Sequence, residues 1–393
     1  MRGRRRTLAV TCGVVVALAG CGGGGKKQST GAQTNTSPSA FNQANPTPGV
    51  AAGGAGQPAG GGQPAAGNVA ASNPFAPSSP WNTPVDSAKV DSNSDTYIRL
   101  ASLRVGVLES PNQKAIKIVS RQADKRLFVN TTRWTTPVFD EQGGSAVRIV
   151  CRQIICGPDA NVTSVTIPPD AKPDPRFDGW FTVLNRGAGV AYDLWRARRS
   201  GDVISYEYIK KWDLNGPGFS RPVADDPQHA VSARGSGLPL FAGLILPEDI
   251  QTGEIGHALA ISVPGPAQRN YVQPASVTDG VGRSNSIPEG ARIRLRSDVS
   301  LGSLPGGTNR RTANAILKAL KRFGAIVVDR SAVPTLYAKK NFNWGAQLHG
   351  NEVQGLSLDD FEVVELPKVL QDPPLQKNFA GPSVAGAVSG GGS

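Results

Sequence analysis

The chain has little of what several protein classes require. It carries four cysteines, one methionine and three histidines in 393 residues, and aromatic residues make up 6% of it. Four cysteines are too few for a small disulfide-stabilised scaffold. No apolar run reaches the ~18–20 residues of a membrane-spanning helix, which excludes a polytopic membrane protein. The 47 glycines follow no three-residue period, which excludes a collagen-like chain.

Common catalytic and metal-binding motifs are also missing. The histidines form no HxH or HExxH pattern, so we expect no metal site. No segment resembles a GxSxG, P-loop or nucleotide-binding GxGxxG motif, and no cysteine has the histidine of a transpeptidase pair. We therefore expect no cofactor, and the chemistry must be sought in residues without a known motif.

The N-terminus reads as an export signal. Four arginines within residues 1–6 precede a short apolar run over 8–19, the n-region and h-region of a signal peptide. Leu18-Ala19-Gly20-Cys21 resembles the bacterial lipobox, in which the cysteine becomes the lipidated first residue. We predict a lipoprotein signal peptide over 1–20, a lipid such as palmitate on Cys21 and anchoring to the outer face of the cytoplasmic membrane. The alternative is an ordinary cleaved signal with an incidental cysteine.

Composition divides the rest of the chain. Residues 21–80 are rich in Gly, Ala, Pro and Gln with few large apolar groups, which predicts a disordered linker, and 371–393 has the composition of a flexible tail. Residues 81–370 form the predicted globular domain. The formal charge of +12 falls to +8 without the four signal arginines. A basic exported domain favours an anionic partner such as a wall polymer or a uronic-acid polysaccharide. Export excludes nucleic acid as the expected partner, and the oligomeric state stays open.

Many short strands with Gly/Pro turns predict a mainly β fold, a β-sandwich or jelly-roll-like domain. Residues 180–184, 190–198 and 203–212 predict a three-stranded meander, because turn residues separate three runs of strand-forming residues. One packed α-helix is predicted between a cap at Thr308 or Asn309 and Gly324, with a shorter helical turn at 247–251.

Two neighbouring strands of this meander suggest a sugar-binding surface. Asp193 and Trp195 share one face of their strand, because side chains alternate. If the hairpin pairs positions whose numbers sum to 401, the same side of the sheet also carries Tyr206, Tyr208 and Lys210. A shift of one residue would place Glu207 beside Asp193 as a glycosidase acid/base pair. The alternative is an aromatic core stripe with charges at the surface.

Other candidates stand alone in the sequence. His257 and Tyr271 are candidates to remove a proton next to a uronate carboxylate, although His257 also reads as a core histidine. A stripe of arginines on one strand face could hold an anion, or lie in solvent: Arg292, Arg294 and Arg296. His349 is a further candidate for substrate binding, or an exposed residue without a role.

Cys151 and Cys156 remain once the signal peptide and the lipidated cysteine are set aside. An oxidising compartment favours a disulfide between them. Free thiols or a metal site are the alternatives, and the second lacks further ligands nearby.

Several stretches together resemble an uncharacterised family of exported, mainly actinobacterial proteins. They run through residues 169–365 and include Tyr192-Asp193-Leu194-Trp195, Trp212-Asp213-Leu214-Asn215, Gly253-Glu254-Ile255-Gly256-His257-Ala258-Leu259 and Tyr271-Val272-Gln273-Pro274-Ala275. The resemblance implies a shared fold and export, but it does not indicate any particular activity. Relatives carry Glu where Asp193 stands and Trp where Gln273 stands.

The sequence therefore supports two functional hypotheses. In the first, a surface lipoprotein binds or cleaves an extracellular, possibly anionic, polysaccharide through a β-rich domain. In the second, the chain is a non-catalytic structural or interaction protein of the cell envelope. The first expects its candidate residues to converge in one groove, and the second expects Asp193 and His257 to lie apart.

Overall fold

The computed structural model describes residues 74–109, 116–154, 156–174, 176, 178–221, 231–302, 304 and 306–372. The predicted signal peptide, Cys21, the linker as far as residue 73 and the tail from residue 373 lie outside this range. None of the described helices has the length and apolar character needed to cross a membrane.

The described part of the chain is mainly β, as predicted. Three α-helices are α1 (Ser94–Ala101), α2 (Pro247–Thr252) and α3 (Arg310–Arg322). The first nine strands are β1 (Leu103–Glu109), β2 (Ile116–Gln122), β3 (Phe128–Asn130), β4 (Val138–Asp140), β5 (Ser145–Cys151), β6 (Ser164–Ile167), β7 (Phe181–Asn185), β8 (Val190–Trp195) and β9 (Arg198–Ser200). The others are β10 (Val203–Tyr206), β11 (Tyr208–Asp213), β12 (Leu259–Val263), β13 (Asn270–Val272), β14 (Arg292–Leu295), β15 (Ala325–Arg330), β16 (Thr335–Tyr337), β17 (Phe361–Val363) and β18 (Val369–Gln371).

Two four-stranded sheets form a sandwich. The first has the order β6-β5-β10-β9 and the second β11-β8-β7-β4. Their facing side chains share one apolar core, which includes Val147, Ile149, Val165, Ile204, Phe181, Val183, Leu194 and Ile209. Alternation along each strand supplies these residues, since every second side chain points inward.

A six-stranded sheet, in the order β17-β14-β15-β12-β16-β3, forms a further layer. One of its faces packs on α3 through Ile316 and Leu320. The other face shares a core with the outer side of the second sheet, where Leu184, Ala191 and Trp212 meet Ala260, Ile326, Val328 and Tyr337. The second sheet is therefore covered on both of its faces. Two further two-stranded sheets, β1–β2 and β13–β18, complete the sheets of the described residues.

The predicted helix at 310–322 is confirmed, and its ends follow the expected chemistry. The Asn309 side chain accepts a hydrogen bond from the Thr312 N–H (3.2 Å), and Gly324 follows with a φ of +65° that suits glycine. The short helix at 247 also forms. Helix α1 was not predicted from the sequence, and it covers the six-stranded sheet through Ile98.

The predicted meander needs two corrections. The strand predicted over 203–212 breaks at Glu207, so that β10 belongs to the first sheet and β11 to the second. The second predicted strand ends at Trp195 because Arg196 has a φ of +49°. In the hairpin of β8 and β11, Lys210 pairs with Asp193, so the numbers of paired positions sum to 403 rather than the predicted 401. A difference of two leaves the side chains of these two strands on their predicted faces and changes only which residues lie opposite each other.

The domain is longer than composition predicts. Phe75, placed in the linker by its neighbours, is 6% exposed, and its N–H donates to the Leu214 carbonyl (2.6 Å). Ser79 is also buried. At the other end, Gln371 pairs with Asn270 in a strand. A few large or hydrogen-bonding residues hold the two ends of the domain against the rest of the fold. The average composition of the flanking segments does not reveal such single residues.

Cys151 and Cys156 form a disulfide, as predicted. The bond closes a short loop after β5 whose tip carries Ile154, a fully exposed apolar residue. The loop lies at the end of the first sheet.

Candidate functional site

A buried carboxylate joins the second sheet to the loop that ends at α2. Asp193 on β8 has 0% exposure. The Thr182 hydroxyl donates to its Oδ1 (2.5 Å), and Trp212 Nε1 and the Leu240 N–H donate to its Oδ2 (both 2.8 Å). Burial raises the pKa of Asp193 to about 6 against the opposing effect of these hydrogen bonds. Asp193 therefore anchors the loop and has no surface on which to meet a substrate.

The aromatic face predicted to stack on sugar is buried as well. Trp195 is 8% and Tyr208 5% exposed, and they pack in one cluster with Trp180 and Leu240. The Tyr208 hydroxyl donates to the Val231 carbonyl (2.7 Å). Lys210 is 3% exposed, with its Nζ 5.5 Å from the Trp212 ring centroid. This arrangement matches the aromatic core stripe of the alternative, but the charged Asp193 and Lys210 are buried with the aromatic residues and do not lie at the surface.

The predicted carboxylate pair does not form. Glu207 lies in the break between β10 and β11, where its carboxylate is 3.1 Å from Arg196 and 3.5 Å from Arg152. Tyr206, also predicted to bind sugar, points into the sandwich core and is 1% exposed. Asp193 and Glu207 therefore hold different parts of the fold together.

His257 and Tyr271 occupy separate environments. His257 is 4% exposed, with Nδ1 3.0 Å from the Ala258 carbonyl oxygen and Nε2 3.5 Å from Asp249 Oδ2. Burial lowers the pKa of His257, but the Asp249 carboxylate outweighs it and the net shift is upward. His257 borders a pocket of about 50 Å³, and none of the other three predicted catalytic residues lines it. Tyr271 is buried in β13, where burial raises its pKa.

The arginine stripe is engaged within the molecule. Arg292 donates to the backbone carbonyls of Phe323, Thr83 and Pro80, and burial lowers its pKa to about 10. Arg294 pairs with Glu362 (2.6 Å). Arg296 donates to the Asp359 carbonyl (2.6 Å). These contacts tie residues 80–85 and β17 to β14, and they do not favour the predicted role in holding an anion.

His349, the last predicted binding residue, belongs to a turn. Its Nδ1 lies 3.2 Å from Glu352 Oε1, and its backbone N–H donates to the same oxygen (2.7 Å). Glu352 is 0% exposed, while the His349 side chain is 42% exposed. The predicted site residues therefore do not converge in one groove.

The structure instead assembles a group of acids that the sequence analysis missed, the acidic cluster of Asp279, Glu289 and Asp329. One carboxylate oxygen from each lies within 4.8 Å of the others. Burial raises the pKa of all three, and that of Asp329 to about 7. Ten and forty residues separate them along the chain, so no local spacing could have indicated the cluster.

An exposed surface of different character covers the first sheet. On the solvent side of β6, β5, β10 and β9, the register aligns Ser164, Arg148, Val203 and Ser200 in one row and places Val150, Ser205 and Arg198 in the next. We call this surface the outer face. Arg148 and Arg198 are exposed, and neither forms an ion pair with a described residue.

Two arrangements therefore remain as candidates, the outer face and the acidic cluster. Comparison of the chain with protein-family models, with curated proteins and with solved structures finds no match. The outer face can bind a flat, extended, negatively charged chain. The acidic cluster can hold protons or a cation.

Proposed function

We propose that this protein is exported, anchored by lipid on Cys21 to the outer face of the cytoplasmic membrane, and binds an anionic extracellular polysaccharide through its β-rich domain without cleaving it. Membership of the exported family that the sequence resembles is part of the proposal. The observation that carries it is the pair of exposed arginines on the outer face, Arg148 and Arg198, which form no ion pair with any described residue.

The outer face suits such a polymer in shape and chemistry. Arg148 and Arg198 stand on the two strands that flank β10, in adjacent rows of side chains, and ordinary strand spacings put them about 12 Å apart. Hydroxyl groups surround them, from Ser164, Ser205 and Ser200. Arginine forks pair with carboxylates, and hydroxyls exchange hydrogen bonds with sugar hydroxyls. Asp202 lies at one end of the face, and its carbonyl accepts the Arg148 N–H (3.1 Å).

The positions of the predicted catalytic residues support binding without cleavage. Asp193 is sealed by three donors, Glu207 is held by two arginines, and His257 and Tyr271 do not share a pocket. A glycosidase needs two carboxyl groups across one open bond site, and a lyase needs a base beside a held uronate. These four residues offer neither arrangement.

The test is binding of the full purified chain to polygalacturonate, to alginate and to neutral dextran by affinity electrophoresis. We expect retention by the two polyuronides only, weakened by salt as screening increases. The double variant Arg148→Gln/Arg198→Gln should bind about tenfold more weakly, because two exposed charge contacts contribute about 0.5–1 kcal/mol each.

The matched control is Arg283→Gln/Arg310→Gln, which removes the same charge from two exposed arginines outside the outer face. It should bind like the unchanged protein. Equal weakening in both double variants would show nonspecific attraction and refute the outer-face site. No binding to either polyuronide would refute the proposed function, and new reducing ends or unsaturated products would refute the non-catalytic part.

A role in protein contacts within the envelope is the second candidate. Ile154 favours it, because a partner protein would bury the apolar surface of this fully exposed residue on the disulfide-closed loop. This candidate predicts no retention by any polysaccharide in the same experiment.

A further inference from the structure

The acidic cluster draws together two stretches of chain that meet at one end of the six-stranded sheet. Asp279 and Glu289 lie in the segment between β13 and β14, and Asp329 lies near the end of β15. Glu289 is 0% exposed, whereas Asp279 and Asp329 each keep part of their surface in contact with solvent. Three carboxylates so close together, in a site that is largely desolvated, repel one another strongly.

The positive groups nearby offset only part of this charge. Arg330 Nε lies 3.2 Å from Asp279 Oδ2. Arg234 is also buried close to the cluster, but its guanidinium donates to backbone carbonyls of Pro239 (2.9 Å), Leu240 (3.1 Å) and Ala242 (3.3 Å). The Tyr337 hydroxyl, on β16, is hydrogen-bonded to the Ser262 hydroxyl on β12. None of these groups is placed among the three carboxylates.

A second observation is that carboxylate oxygens of the cluster lack partners. Glu289 Oε2 accepts the Asp279 N–H (3.2 Å), and the Thr278 hydroxyl and the Asp279 carboxyl also lie within hydrogen-bonding reach of the Glu289 side chain. Glu289 Oε1 is nevertheless buried without a donor of good geometry among the described residues. Asp279 Oδ1 is likewise buried without a donor. An unpaired buried carboxylate oxygen is costly, so native proteins provide such oxygens with a donor or with a metal ion.

From the cluster and its unpartnered oxygens we infer that Asp279, Glu289 and Asp329 form a binding site for one hard divalent cation such as Ca²⁺. The donors are all carboxylate oxygens, which suits a hard cation and not a soft transition metal. Two oxygens on opposite sides of one Ca²⁺ are about 4.6–5.2 Å apart, since each bond is about 2.3–2.6 Å. On Mg²⁺ the same two oxygens could be at most about 4.2 Å apart.

The three carboxylate oxygens lie within 4.8 Å of one another, which is within the span of oxygens that share one Ca²⁺. Asp279 and Asp329 each keep part of their surface exposed, and water can supply the remaining ligands of an ion held by three carboxylates. A bound ion would join the 273–291 segment to β15, which makes the site structural and independent of polysaccharide binding at the outer face.

The test uses the full chain freed of metal with EDTA. Calorimetric titration with CaCl₂ and with MgCl₂ should show one Ca²⁺ bound per chain and weaker binding of Mg²⁺. Saturating CaCl₂ should raise the Tm by several degrees, because an ion that binds only the folded state stabilises it. Glu289→Gln, which keeps the side-chain shape, should weaken Ca²⁺ binding at least tenfold and remove the rise in Tm.

Asp193→Asn is the control, because it neutralises a carboxylate that is equally buried but outside the cluster. It should keep the response to Ca²⁺. If Glu289→Gln does not fold, Asp279→Asn at a part-exposed position replaces it. The inference is overturned if neither cation binds, or if the cluster variant binds Ca²⁺ as tightly as the unchanged chain. It is also overturned if Glu289→Gln raises the Tm while the unchanged chain does not respond to Ca²⁺, since the cluster would then hold a proton.

Discussion

Replacing Asp193 by asparagine isolates the cost of burying one carboxylate. The pKa of this group is about 6 in the folded protein, against about 3.9 in an unfolded chain. Because the pKa of Asp193 is higher in the folded state, binding of a proton by Asp193 stabilises the folded protein. This stabilisation is fully present at pH values below the pKa of the unfolded chain. That contribution is lost as the pH rises through 4 to 6.

The magnitude follows from the size of the shift. About two pKa units correspond to about 2–3 kcal/mol between pH 4 and pH 8. Asparagine carries no charge, so the variant lacks this dependence. We expect the free energy of unfolding of the unchanged protein, minus that of Asp193→Asn, to fall by about 2–3 kcal/mol from pH 4 to pH 8. The subtraction cancels every other titrating group that the two proteins share.

The hydrogen bonds around this position allow the substitution. The asparagine oxygen can accept from Trp212 Nε1 and the Leu240 N–H, as Oδ2 does now. Its amide can donate to the Thr182 hydroxyl, which then donates to the Thr136 hydroxyl 3.3 Å away. Asp193→Ala instead leaves the two N–H donors buried without an acceptor, at about 1–3 kcal/mol each.

The assay is urea unfolding of the full chain at pH 4, 5, 6, 7 and 8, followed by tryptophan fluorescence. Asp193→Asn should be as stable as the unchanged protein or more so at pH 8, and Asp193→Ala should be clearly less stable at every pH. If the two variants lose equal stability, the hydrogen-bond reasoning is wrong. If the difference between Asp193→Asn and the unchanged protein does not vary with pH, the buried charge is not the cause.

Two further predictions concern the ends of the fold and the disulfide. Phe75→Ala should lower the free energy of unfolding by about 3–5 kcal/mol, as expected for a buried phenylalanine; a loss below about 1 kcal/mol would place residue 75 outside the domain. Cys151→Ser/Cys156→Ser should cost about 2 kcal/mol, because the disulfide closes only a short loop. Treatment of the unchanged protein with dithiothreitol should reproduce that loss, and a larger effect of the variant alone would indicate damage to the packing of Cys156.

The sequence predicted the features that depend on neighbouring residues. The helix at 310–322 follows from an asparagine cap, an apolar spacing and a terminal glycine, all within one stretch of chain. The strands at 181–185 and 190–195 follow from strand-forming runs between turns. The disulfide follows from two cysteines five positions apart. In each case the interacting residues are close in sequence, so the pattern contains the information.

The faces of the meander show where this reasoning ends. Alternation correctly placed Asp193, Trp195, Tyr208 and Lys210 on one side of the sheet. It could not tell that the 231–240 segment and a six-stranded sheet cover that side. A stripe of aromatic and charged residues is compatible with solvent or with a polar core, and the covering layer comes from chain more than 20 residues away.

The sequence by itself determined the strand-rich character of this protein, its main helix and its disulfide, because short-range spacing governs all three. Only the tertiary structure decided which of its charged residues meet. It buried Asp193 under a loop and brought Asp279, Glu289 and Asp329 together. It also bound the Arg292, Arg294 and Arg296 stripe to other parts of the fold, and among the described residues it gave Arg148 and Arg198 no ion-pair partner. The reason is physical: the energy of a charge depends on what surrounds it in space, and distant segments supply those surroundings.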